Sequence, residues 1–132
     1  MPIDHVSVGC KDVKKARAFY DPVLATIGYQ PVMPLEIQGE LLAIGYGDAG
    51  QPSFWVQLPF DRNPATMGNG VHIAFTAATR AAVDAFYLAA IEAGGIDDGQ
   101  PGLRHEYHPS YYAAFVRDKD GNKIEAVCHA PD

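Results

Sequence analysis

The sequence repeats itself. His5-Val6-Ser7-Val8, the triplet Ala18-Phe19-Tyr20, Leu24 and Gly28 recur as His72-Ile73-Ala74-Phe75, Ala85-Phe86-Tyr87, Ile91 and Gly95, every match 67 positions further on. A histidine, an aromatic triplet, an aliphatic residue and a glycine kept in one register indicate a duplicated unit. Such a repeat constrains the fold more than any local pattern, because both halves must adopt the same supersecondary structure. The chain divides into modules of about residues 1–66 and 67–132, within a single domain.

Each unit opens on a strand pattern, with Val6 and Val8, or Val71, Ile73 and Phe75, on one face. A helix follows. In the first unit Asp12 is the expected N-cap, and Ala16, Phe19, Tyr20, Val23, Leu24 and Ile27 form an apolar stripe that ends at Gly28. Pro22 is expected to kink or restart that helix. In the second unit Thr79 caps a stripe of Val83, Phe86, Tyr87, Ala90 and Ile91, closed by Gly94-Gly95. Extended segments follow over 30–33, 41–46 and 54–58, and in the second unit a long loop precedes strands over 111–117 and 123–128. The turns at 47–51 and 118–122 are hairpin signals. The expected architecture is α+β: two βαβββ modules with curved mixed sheets, helices on one side and a cleft on the other.

Strand alternation then assigns side chains to that cleft. If Val6 and Val8 pack against the helix, His5 and Ser7 face away from it. By the same reasoning His72 lies opposite Ile73, Glu125 opposite Ile124 and Ala126, and Gln57 opposite Val56 and Leu58. The duplication relates His5 to His72 by 67 positions and Gln57 to Glu125 by 68. Two imidazoles and a carboxylate on rigid strands suit one divalent transition metal (Zn, Ni, Mn, Fe or Co), with Gln57 as a weak neutral oxygen donor. In the polar segment 101–109, Arg104, Tyr107 and His108 are candidates for binding a substrate carboxylate or moving a proton. His105 and His108 have the spacing of a metal pair but no third ligand nearby.

Composition narrows the partners. A net charge of -6 argues against nucleic acid, which requires clustered Lys and Arg. The apolar runs are far shorter than the ~20 residues that cross a bilayer, and the N-terminus has no basic stretch followed by an apolar one, so no membrane partner and a cytoplasmic location are expected. Cys10 and Cys128 read as ordinary reduced thiols. A small-molecule substrate is the expected partner.

Asp4-His5-Val6-Ser7-Val8, Ala18-Phe19-Tyr20 and the closing Tyr111 to Glu125 segment, with its Asp118-Lys119-Asp120-Gly121-Asn122 turn, resemble the vicinal oxygen chelate superfamily of glyoxalases, bleomycin resistance proteins and extradiol dioxygenases. The resemblance covers essentially the whole chain. It implies paired βαβββ modules around a metal held by His5, His72 and Glu125, and glyoxalase-like lyase or isomerase chemistry in which Glu125 moves a proton. It also implies a homodimer. Gln57 stands where glyoxalase-like members carry a second glutamate, and Phe115 stands where extradiol dioxygenases carry a tyrosine ten residues before the glutamate. The alternatives are therefore a metal-free binder of antibiotic type and a dioxygenase.

Overall fold

The computed structural model describes residues 2–131. Its elements run β1 (Val6–Gly9), α1 (Val13–Ala25), β2 (Gln30–Ile37), β3 (Glu40–Asp48) and β4 (Gln51–Gln57). They then repeat as β5 (His72–Thr76), α2 (Arg80–Glu92), β6 (Ile96–Leu103), β7 (Tyr112–Arg117) and β8 (Lys123–Cys128). The two sheets have matching orders, β1-β4-β3-β2 and β5-β8-β7-β6. In each, the first strand joins the last in parallel and the remaining neighbours are antiparallel. The fold is α+β, two open βαβββ units as the duplication requires.

The helices form where capping and periodicity place them. The Asp12 carboxylate accepts from the Lys15 amide at 3.1 Å, and the Thr79 hydroxyl from the Ala82 amide at 3.0 Å. Both end in the same way. Gly28 (φ 86°) and Gly94 (φ 97°) occupy the left-handed position after the last turn. The next residues, Tyr29 and Gly95, donate back to the Leu24 and Ala90 carbonyls. The terminating glycine of the second helix is thus Gly94, one residue before the glycine that matched by sequence offset. Pro22 neither breaks nor restarts α1, which runs through it to Ala25.

Three further expectations need correction. The stretch 96–103 is a strand, β6, and not a loop. It lies at a sheet edge with register shifts on both sides of Gly99, a position where polar residues, Gly and Pro are tolerated. Val71 precedes β5 and is 54% exposed, so it does not share the core face of Ile73 and Phe75. The buried stripe of α2 is confined to Val83, Phe86 and Ala90, with Ile91 facing outward.

The two units share one core. Phe75 of the second packs edge-on against Phe54 of the first at 5.0 Å, beside Tyr29 and Phe86. Polar contacts pin the seam: Asn122 Nδ2 donates to the Gly9 carbonyl at 2.8 Å, and the Lys11 amide to Asp120 at 3.0 Å. Tyr20 of α1 donates its hydroxyl to the buried Asp118 at 2.5 Å. This packing uses the helix side of each sheet, leaving the opposite faces to carry chemistry.

Candidate functional site

Glu125 is a buried acidic residue of the second module. On β8 it alternates with Ile124 and Ala126, which enter the core, so its side chain lies on the other face, yet it is only 2% exposed. His72 Nε2 lies 2.9 Å from Oε1, and the Tyr111 hydroxyl donates to Oε2. Each Glu125 oxygen thus has one side-chain partner, His72 at Oε1 and Tyr111 at Oε2. Burial and the bond to Glu125 push the Tyr111 phenol well above its ordinary range. Tyr111 therefore stays a donor.

The surroundings come from the same face. Phe115 pairs with Glu125 across the β7–β8 ladder, and its ring lies 6.2 Å from that of His72. The Arg104 guanidinium carbon and Lys123 Nζ sit 5.4 and 5.2 Å from the Phe115 centroid. Beyond Tyr111 the segment between β6 and β7 folds back, with Tyr107 against Tyr111 at 4.8 Å and His108 edge-on to it at 5.5 Å. The Ser110 amide donates to His108 Nδ1, which leaves the His108 proton on Nε2, 2.8 Å from His129 Nδ1. Arg104, Tyr107 and His108 thus all border the Glu125 group, whereas His105 is exposed.

The first-module candidates lie elsewhere. His5 precedes β1 and is exposed, with Nδ1 2.6 Å from the Asp4 carboxylate. Gln57 ends β4 beside Ser7 and Gly9, in a cavity of ≈ 350 Å³ completed by Pro59, Asp61 and residues 63–66. Ser7 pairs with Trp55 and Ala74 with Glu125, and Ser7 and Ala74 are 67 positions apart. The rung equivalent to Glu125 therefore belongs to Trp55, and Gln57 lies two rungs further on, on the same face. Among the described residues no three His, Cys, Asp or Glu side chains come together as they would around an ion. The structure unites His72 with Glu125 and does not bring His5 to them.

Two members of the site, Tyr111 and His129, were not among the candidates taken from sequence. Alternation held the signal: Tyr111 is in phase with Ala113 and Phe115, and His129 with Glu125 and Val127.

The profile of the glyoxalase/bleomycin resistance protein/dioxygenase superfamily matches residues 2–126. The chain belongs to this superfamily. A solved member, a glyoxalase/bleomycin resistance protein from Albidiferax ferrireducens T118, is 34% identical with a TM-score of 0.82, covering 96% of this chain and 98% of that one. A glyoxalase/bleomycin resistance protein/dioxygenase family enzyme from Burkholderia phytofirmans PsJN shares the fold at 18% identity (TM-score 0.70; coverage 98% and 100%). So does TioX from Micromonospora sp. ML1, at 16% identity (TM-score 0.66; coverage 96% and 94%). No curated protein matches the sequence. The chain thus has the α+β fold of a superfamily whose members bind small molecules, and among the described residues no helix is long and apolar enough to cross a membrane.

Proposed function

We propose that this superfamily member is a glyoxalase-like lyase or isomerase acting on a small oxygen-bearing molecule, with Glu125 as the group that takes up and returns a proton. The observation that carries this reading is a buried Glu125 side chain held between His72 and Tyr111 on the open face of its sheet. His72 and Tyr111 fix its orientation, and proton transfer needs such a group within hydrogen-bond reach of the ligand. Arg104, Tyr107 and His108 line the approach and hold the ligand.

The superfamily often uses a divalent ion, and His72 and Glu125 are the donors this module would offer it. Two donors fall short of the three protein ligands usual at catalytic zinc sites, and the Tyr111 hydroxyl already occupies the second oxygen of Glu125. One chain alone therefore does not fit a resident ion, and none of the steps above depends on one. In a homodimer, His5 and Gln57 of a second copy are the donors available to complete a set.

The test is Glu125→Gln, which keeps shape and an oxygen acceptor but removes the capacity to take a proton. On a hemithioacetal, or on any substrate found by screening, turnover should fall by a factor of ~10² or more. Full activity in that variant would sink the proton-transfer assignment. Elemental analysis after incubation with Zn, Mn, Fe, Co and Ni decides the metal: about one ion per chain, lost in His72→Ala and in His5→Ala, is the outcome for a site shared between copies. A metal-free binder is the second reading, favoured by the Tyr111 hydroxyl already occupying the second oxygen of Glu125, and it predicts no stoichiometric ion and no turnover.

A further inference from the structure

Three cations border the Glu125 face. Lys123 and Arg117 are both committed to Asp98, at 3.5 and 3.3 Å. Arg104 has no carboxylate partner among the described residues. Its Nη2 donates to the Gln100 carbonyl at 2.7 Å, and its guanidinium lies over the Phe115 ring, half-buried. Strand β6 leaves room for that pose. A Cβ at Gly99 would come within 2.9 Å of Phe115 and 3.2 Å of Arg104 Nη2, and one at Gly102 within 3.2 Å of Arg104 Nη1. A guanidinium has five N–H donors in a planar fork, and a carboxylate is the partner that fork matches. The chain as a whole carries -6, so this positive charge is local and not part of a general anion-attracting surface.

We propose that Arg104, held on Phe115 in the space left by Gly99 and Gly102, is the specificity-determining residue of the site and selects ligands bearing a carboxylate next to the oxygen on which Glu125 acts. The inference rests on the Glu125 reading and names the substrate class for it: small 2-hydroxy or 2-oxo acids and their relatives, in preference to neutral carbonyl compounds. Arg104 grips the acid group through its fork while Phe115 keeps the guanidinium from turning away.

The test is an NMR titration of the full chain with glycolate and with glycolamide, which match in size and neighbouring oxygens but differ in charge. Glycolate should give saturable shifts at the Arg104 Nε–H and the Phe115 ring, with glycolamide at least tenfold weaker. Arg104→Met should weaken glycolate at least tenfold and abolish its preference over glycolamide. Gly102→Ala, which displaces the guanidinium without removing it, should fall between. Equal affinity for the two probes, an Arg104→Met protein that binds glycolate normally, or no saturable shift with glycolate would each overturn the assignment. Glycolate binding through Arg104 together with full activity of Glu125→Gln would instead sink the proton-transfer reading and leave the anion site standing.

Discussion

Each oxygen of Glu125 has a single described side-chain partner, so removing one leaves a buried polar atom unpaired. Tyr111→Phe keeps the ring packing of Tyr111 and loses only the hydroxyl. It should cost about 1–3 kcal/mol of stability, read as a lowered midpoint in urea; an unchanged midpoint would mean that the hydroxyl bond is not formed in solution. Cys10 supplies a pH-dependent test. Burial, then the charges of Asp120, Asp118 and Asp12, pushes its thiol from 9.0 up to about 12. Below pH about 9 the thiol is protonated in both folded and unfolded chains and its contribution is present in full; above that the unfolded chain sheds a proton the folded one retains, so stability falls as pH rises toward 12. Midpoints measured from pH 7.5 to pH 10.5 should drop more steeply for the wild type than for Cys10→Ala, since the raised tyrosines are common to both. Parallel curves would reject the assignment. At this scale the sequence was informative where chemistry and alternation agreed, as at His72 and Glu125. It picked Gln57 from the 68-position offset, whereas the β1–β4 register, set by tertiary pairing, puts Trp55 on the rung equivalent to that of Glu125 and on the same face as Gln57.

The helices were legible to within a residue or so because caps, stripe and terminating glycine are all local signals. Those glycines give a paired test. Gly28→Ala meets open space and Gly94→Ala meets the Lys119 side chain at 2.5 Å, but both residues hold positive φ. If the left-handed backbone sets the cost, both variants should lose a similar ~1–2 kcal/mol, because Lys119 is exposed and free to swing aside. A loss confined to Gly94→Ala, seen by chemical denaturation, would put the cost in the Lys119 contact instead. Strand β6 was not legible. Its sequence Ile96-Asp97-Asp98-Gly99-Gln100-Pro101-Gly102-Leu103 has neither alternation nor β-branched enrichment, and it is a strand because the edge of β7 offers its backbone partners.

Over the whole molecule the duplication was readable and the joining of its halves was not, because Phe54 against Phe75 and Tyr20 against Asp118 are contacts between residues far apart in the chain. A shared core predicts one cooperative transition, with far-ultraviolet dichroism and tyrosine signals melting together. Tyr20→Phe should lower that single transition, whereas two separated steps would show that the modules fold independently. The proposed homodimer should appear in light scattering as twice the 14.2 kDa chain mass, and a mass of 14.2 kDa at all concentrations would exclude it. The two modules share one strand order but differ on their open faces, where one places Glu125 and the other the chain's single tryptophan on the equivalent rung. The Trp55 indole lies half-buried over Gly45, where a Cβ would come within 2.9 Å of its ring. The protein thus contains its own optical probe: without any label, the emission colour and quenching of Trp55 register whatever settles on the first-module face, be it ligand or second subunit, while the second-module face offers only tyrosines, which tryptophan-selective excitation passes over.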